Sequence, residues 1–231
     1  MLESILESIR VNVQPEAAGQ RLKLTEIFFS LQGEARTVGL PTVFVRLTGC
    51  PLRCHYCDTA YAFTGGEWWT CEDVLAKVAS YSARYVTVTG GEPLAQKNCF
   101  GLLEKLCDAG YEVSLETSGA IDVSKVDVRV SKVLDIKTPD SGEQARNLWT
   151  NLDYITKHDQ IKFVICSRAD YAWAKTILQQ YALSSRCELL FSPSHGQLSN
   201  RELAEWILQD GVPVRFQVQL HKYIWGDTPG H

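Results

Sequence analysis

Three cysteines crowd one short segment, Cys50-Pro51-Leu52-Arg53-Cys54-His55-Tyr56-Cys57, flanked by Gly49 and Asp58. Thiolates at this density ligate soft or borderline metals. A [4Fe–4S] cube carries four irons and ordinarily takes four thiolates. Three close cysteines without a near fourth leave one iron open to a small chelating molecule, as a catalytic cluster requires and an electron carrier does not. Three other readings compete. A structural zinc site would need His55 as its fourth ligand, but its place between two of the cysteines makes a closed tetrahedron awkward. A ferredoxin-like carrier would have to recruit Cys71. Inert buried cysteines have no reason to bunch around Gly49 and Pro51.

A second chemically suggestive segment is Thr89-Gly90-Gly91-Glu92-Pro93. Gly-Gly and Pro suit a plain strand-to-helix turn. Its glycines also permit close backbone approach to a ligand, and Glu92 is a charge that a turn does not require. The other cysteines (Cys71, Cys99, Cys107, Cys166, Cys187) are scattered without ligand spacing and read as small hydrophobes. Trp68 and Trp69, after Gly65-Gly66, read as lid or dimer packing more than as a stacking surface.

These segments need a scaffold, and the pattern supplies one. Stretches 42–48, 85–89, 112–116, 132–137, 160–166, 187–191 and 213–220 read as largely buried strands. Helical patterns fall between several of them. Thr70 with Asp73 resembles a capping box ahead of Val74, Leu75, Val78 and Ala79. Asn98 can cap a helix that buries Leu102, Leu103, Leu106 and Cys107 and stops at Gly110. Ser199 with Glu202 opens another, ending at Gly211. Alternating strands and helices predict an α/β fold with a right-handed parallel sheet. About six mainly parallel strands are too few for a closed eightfold barrel, so a partial, open β/α barrel or an open sheet is expected. Its site should lie beyond the C-terminal strand ends. Residues 49–58, 90–93, 117–119 and 138–142 each follow a strand in that way.

The chain has 231 residues, 45% of them hydrophobic and 22% charged, enough for one domain with a sizeable core. Residues 1–22 read as a peripheral arm, in which Ile5 and Ile9 form one stripe before Pro15 and Gly19; residues 23–231 read as a single domain. A net charge of −4 gives no electrostatic sign of nucleic-acid or anionic-membrane binding. No stretch approaches the roughly 20 apolar residues that cross a bilayer. The acidic N-terminus lacks the basic region of a signal peptide, so a cytoplasmic location is expected, where cysteines favour metal ligation over disulfides.

Cys-x3-Cys-x2-Cys, with Tyr56 before its last cysteine, resembles the signature loop of the radical S-adenosylmethionine (SAM) superfamily. Residues 89–93 resemble that superfamily's second motif, which binds the methionyl amino group of SAM. Within the superfamily, residues 24–227 resemble the 7-carboxy-7-deazaguanine synthase family. Three further motifs carry that resemblance. Leu31-Gln32-Gly33-Glu34 is similar to the family's substrate loop, and Cys57-Asp58-Thr59 carries a hydroxyl that in this family binds Mg²⁺. Gln219-Leu220-His221-Lys222-Tyr223-Ile224 is similar to its C-terminal stretch.

The resemblance implies a radical SAM-type partial barrel that converts 6-carboxy-5,6,7,8-tetrahydropterin into 7-carboxy-7-deazaguanine with loss of ammonia, for queuosine and other 7-deazapurines. It implies a [4Fe–4S] cluster on Cys50, Cys54 and Cys57, with SAM met by Tyr56, Cys57, Asp58, Gly91, Lys137, Thr138 and Pro139. Thr59 matches the Mg²⁺ ligand, and Leu31, Gln32, Gly33, Arg46 and Thr89 match substrate contacts. The radical itself would be carried by SAM and the cluster. Partners implied are the pterin, an electron donor such as flavodoxin and a second copy in a homodimer, with no direct nucleic acid. Arg46 offers a fork suited to a carboxylate, Gln32 can donate to and accept from a pterin edge, and Thr59 is a hard oxygen ligand. Read alone, the same residues suit a salt bridge, a solvated loop amide and a turn cap.

Two departures from the family are visible. Ala35 stands where the family often has another glycine, and Asp135-Ile136-Lys137-Thr138-Pro139 differs from its usual Ser-Pro-Lys, leaving two registers, offset by two residues, for the SAM-contacting turn. A glycyl-radical activating enzyme would share the cluster loop but not residues 31–34 or 221–223. Metal analysis separates the enzymes from a non-catalytic zinc or iron–sulfur module. Anaerobically reconstituted protein should be brown and hold about four irons per chain; one zinc, no iron and no SAM binding would select the module.

Overall fold

Runs of β-branched and aromatic residues between turn-formers favour strands, and the computed structural model joins nine of them into one sheet. It describes residues 21–226 with Thr228 and Gly230. The expected stripe of Ile5 and Ile9 therefore lies outside the described residues. The strands are β1 Arg21–Leu31, β2 Pro41–Leu47, β3 Glu67–Thr70, β4 Tyr85–Gly90, β5 Glu112–Thr117, β6 Ser131–Asp135, β7 Gln160–Ile165, β8 Glu188–Pro193 and β9 Arg215–Phe216. Their spatial order is β3-β1-β2-β4-β5-β6-β7-β8-β9. From β2 to β9 every neighbouring pair is parallel, whereas β1 runs antiparallel to both β2 and β3. The sheet is open, as expected.

The differences from expectation lie at the edges. Both antiparallel strands escape the sequence pattern. In β1 the alternation of Leu22 and Leu24 changes phase before Ile27, and the pairing with β2 is irregular at that point, between Leu24 and Glu26. A bulge moves the apolar set by one residue and hides the period. Trp68 and Trp69 belong to the short edge strand β3, where Trp69 packs on the core and Trp68 stays 60% exposed. At the other edge, the expected strand 213–220 shrinks to β9. Gln217 still bonds Phe191 O through its backbone, but Leu220 already starts a helix and donates to Gly33 O. The strand expected over 132–137 ends at Asp135, because the Asn147 side chain takes both the N–H and the C=O of Lys137, at 2.9 Å each.

Five α-helices complete the described residues: α1 Cys71–Ala79, α2 Cys99–Asp108, α3 Arg168–Gln180, α4 Asn200–Asp210 and α5 Leu220–Trp225. Thr70 and Asp73 form the expected capping box on α1. Asn98 and Ser199 occupy the N-cap positions of α2 and α4 without side-chain capping bonds. Asn98 instead donates to Arg21 O at 2.9 Å, tying α2 to β1. Gly211 closes α4 in the left-handed region, as its position predicts. No helix among the described residues is long and apolar enough to cross a membrane.

Alternation along the parallel strands divides the sheet into two faces. Val43, Val45 and Leu47 are buried in the core with Val86, Val88, Leu102, Leu103 and Leu106. Burying each Leu stabilises by about 1.5–3 kcal/mol. The intervening Phe44, Arg46 and Thr89 line a cavity instead. At the opposite end of the sheet, buried Lys132 pairs with buried Asp159 at 3.1 Å. Asp159 also accepts from Lys132 N, Thr156 N and Thr156 Oγ1. Breaking a buried pair by removing one partner costs about 3–5 kcal/mol. Asp159→Ala should therefore lower the free energy of unfolding by that amount, measured by denaturant titration of the metal-free protein.

Candidate active site

The cluster loop leaves the end of β2 at Gly49, whose φ of +100° suits glycine. The second glycine-rich turn leaves the adjacent strand, β4, and the two meet backbone to backbone. A Cβ on Gly91 would stand 2.4 Å from Gly49 O and 2.7 Å from Cys50 Cβ; one on Gly90 would stand 2.3 Å from Leu47 O. Glycine is required here by contact between the two loops themselves. Glu92, a charge that a turn does not require, is fully buried and engaged in structure. It accepts from Leu94 N, Thr117 Oγ1, Ser118 N and Ser118 Oγ, and so binds the end of β4 to the end of β5.

Beyond these strand ends lies a cavity of about 400 Å³, lined by Cys50, Cys54 and Cys57 and, among the described residues, by no other cysteine. Cys71 and Cys99 are buried in the core. His55 turns away: its Nδ1 lies 3.1 Å from Asp140 O, its ring packs on Gly142, and it does not line the cavity. The zinc site with His55 as fourth ligand loses its geometry. Among the described residues, no three His, Cys, Asp or Glu side chains converge as a single ion would require. A cube, whose irons are separate, does not need such convergence. Burial raises the Cys50 thiol and pushes Cys54 up to about 11, so these ligands ionise readily only beside a cation. Two buried oxygens on lining residues, Tyr56 OH and Asp135 Oδ1, have no hydrogen-bond partner. Thiol donors and orphaned acceptors together fit a cluster with a polar organic ligand beside it.

The loop after β1 crosses the interior and forms the cavity floor. Gln32 Nε2 donates to Thr87 Oγ1 at 3.0 Å and to Glu116 Oε1 at 3.4 Å, and Thr89 Oγ1 donates to Glu116 Oε2 at 3.0 Å. Burial, and next the charge of Glu34, raises the Glu116 carboxyl. Glu34 reaches the far side of the sheet, where Lys162 Nζ lies 2.7 Å from its Oε2 and Gln219 Nε2 donates to its Oε1 at 3.0 Å. Asp135 Oδ2 stands 3.0 Å from Lys137 Nζ and 3.7 Å from Lys162 Nζ. Burial alone would lower both lysines, yet the carboxylates around them outweigh it and hold both well above the usual range. On the β1–β2 side, Glu26 accepts from Arg46 Nε at 2.7 Å and from Tyr61 OH at 2.9 Å. Thr59 Oγ1 and Gln219 Nε2 donate to opposite oxygens of Asp58. Burial would raise that carboxyl, but these bonds and two nearby lysines hold it below its ordinary value.

Comparison with known proteins agrees with this geometry. The Radical SAM superfamily pattern matches residues 44–131. A 7-carboxy-7-deazaguanine synthase of Chlorobaculum tepidum is 45% identical over 207 residues, covering 88% of this chain and 94% of its own. The chain belongs to the 7-carboxy-7-deazaguanine synthase family. A synthase of that name from Koribacter versatilis is 40% identical, with 88% and 97% covered. The crystal structure of QueE from Escherichia coli superposes with a TM-score of 0.73 at 24% identity, over 87% of this chain and 95% of that one, and shows the shared fold.

Most residues singled out from the synthase-family motifs share the one cavity: Leu31, Gln32, Gly33, Arg46, Cys50, Cys54, Tyr56, Cys57, Asp58, Thr59, Thr89, Gly91 and Lys137. Thr138 and Pro139 stand apart. Thr138 is fully buried with its Oγ1 donating to Val164 O at 3.0 Å, Pro139 opens a 3-10 turn, and neither lines the cavity. Asp135 and Lys137 do line it, whereas Ile136 is buried in the core. Arg46 is both salt-bridged and cavity-lining, which joins its two alternative readings. Sequence reasoning passed over Glu34 as an individual residue, and over Glu116, Asp135, Lys162 and Gln219 as members of one site. For Glu116, Asp135 and Lys162 the signal was an ionisable residue within an apolar strand, as in Lys162 among Ile161, Phe163 and Val164. Gly91→Ala should push the cluster loop out of place: iron bound after reconstitution should fall severalfold while far-ultraviolet circular dichroism stays unchanged.

Proposed function

We propose that this chain converts 6-carboxy-5,6,7,8-tetrahydropterin into 7-carboxy-7-deazaguanine with loss of ammonia. The observation that carries the reading is one cavity that holds three thiols at its rim and Gln32, Arg46 and Glu116 within. When bound, the [4Fe–4S] cluster and SAM supply a reductively generated carbon radical that takes hydrogen from the substrate. Everything else falls to the chain's own groups.

Cys50, Cys54 and Cys57 hold the cluster. Tyr56, Asp58, Gly91 and Lys137 meet SAM, with the orphaned Tyr56 and Asp135 oxygens available to its hydrogen-bonding groups. Thr138 and Pro139 act behind this surface, shaping the turn. Gln32 and Glu116, linked to Thr89, offer a mixed donor and acceptor edge to the pterin ring, and Leu31 and Gly33 border it. Glu26 and Tyr61 hold Arg46, which leaves its two terminal nitrogens to grip the substrate carboxylate. Thr59, oriented by Asp58, supplies a hard oxygen for Mg²⁺. We further read residues 23–231 as one domain working in the cytoplasm as a homodimer. An electron donor such as flavodoxin serves it, and neither a membrane nor nucleic acid is bound directly.

Anaerobic turnover with the carboxylated tetrahydropterin, followed by mass analysis, tests the reading directly. Product should form only with reductant, SAM and Mg²⁺. Gln32→Ala and Arg46→Ala should leave SAM cleavage in place. A hydrogen bond to a charged group is worth about 1.5–3 kcal/mol, so kcat/KM for the pterin should drop roughly 10- to 150-fold in Arg46→Ala. Unchanged pterin turnover would remove the assigned roles. Hydrogen abstraction from a partner polypeptide in place of the pterin would select a glycyl-radical activating enzyme.

A further inference from the structure

Four charged side chains form an alternating line across the cavity. Glu34 on the floor loop meets Lys162 at 2.7 Å, Lys162 faces Asp135 at 3.7 Å, and Asp135 meets Lys137 at 3.0 Å. Lys137 then stands 5.8 Å from the Tyr56 ring centroid. Lys162 and Asp135 are register partners on β7 and β6, so the backbone holds the middle of the line rigid. All five side chains line the one cavity. One end of the line lies in the loop read as meeting the pterin, the other beside the residues read as meeting SAM.

The unequal distances about Lys162 are informative. A lone ammonium on a flexible stem sits between two carboxylates and leans toward Glu34. Lys162 and Lys137 face the same oxygen, Asp135 Oδ2, so an ammonium drawn closer from Lys162 competes with Lys137 for it. On the functional reading above, we propose that Lys162 is a positioning residue that links the pterin and SAM subsites, so that filling one changes the affinity of the other. Pterin N–H groups that donate to Glu34 weaken its hold on Lys162. The ammonium is then drawn toward Asp135, which loosens Lys137 and frees it for SAM. The reverse sequence follows from SAM binding, because coupling between two sites is reciprocal.

The test is SAM affinity of the reconstituted protein, measured by anaerobic equilibrium dialysis without reductant, with and without saturating 6-carboxy-5,6,7,8-tetrahydropterin. In the wild type the pterin should tighten SAM by at least about fivefold, the lower end of ordinary allosteric coupling. Lys162→Met should bring that ratio to about one, and Lys162→Arg, which keeps a cation between both carboxylates, should retain it. Glu34→Gln severs the same link without stranding a buried ammonium, and should also bring the ratio near one if Lys162→Met fails to fold. A purely structural role would lower the melting temperature and weaken both ligands while leaving the ratio intact. A wild-type ratio of one, or an unaltered ratio in Lys162→Met or Glu34→Gln, overturns the link and spares the functional reading. Absence of any pterin binding to the wild type overturns both.

Discussion

The whole site rests on a backbone contact with no room for a side chain. Gly90 and Gly91 at the end of β4 lie against Leu47, Gly49 and Cys50 at the end of β2, closer than any Cβ tolerates. The parallel pairing of β2 with β4 carries the chain into this contact. Glu92 then locks it by gathering donors from the end of β5. A buried carboxylate is costly to desolvate, and here several hydrogen bonds offset the cost. The first thiol is thus positioned by three consecutive strand ends in the sheet. Its loop owes little of its order to its own residues.

A different balance governs the interior. Glu34, Glu116, Asp135, Lys137 and Lys162 occupy a space where hydrophobic packing would be more stable by itself. Pairing with Asp135 and Glu34 holds Lys137 and Lys162 well above the usual lysine range, so both stay charged despite their burial. The stability of the domain is supplied elsewhere, on the helix-covered face with its continuous aliphatic core. One face of the sheet is spent on folding and the other is released for chemistry.

This division explains what could be read from the residues in order. The cluster loop and the glycine turn are local, and their spacing is chemically specific, so they were legible. The parallel strands were legible too, because burial on the helix side keeps Val43, Val45 and Leu47 in strict alternation. Strand β1 was not, since its bulge resets the alternation midway. The charged line from Glu34 to Lys137 was equally hidden. Its members are distant in the chain, and only sheet order brings β6 and β7 beside the loop that follows β1. Glu92 misled for a related reason. A carboxylate after two glycines looks free until its donors on β5 are in view.

The floor loop has one more consequence. The two edges of this sheet, β3 and β9, are not paired to each other, and the loop after β1 reaches through residues 33–36 to β7, β8 and the start of α5. Leu220 N donates to Gly33 O, Lys162 pairs with Glu34, and Arg36 meets Gln160 and Glu188. The contact across the open side is therefore made by a few polar bonds and not by a ladder of strand pairing. Lengthening or shortening that single loop would alter the opening without unzipping any strand, while the thiol-bearing rim at the ends of β2 and β4 stays where it is.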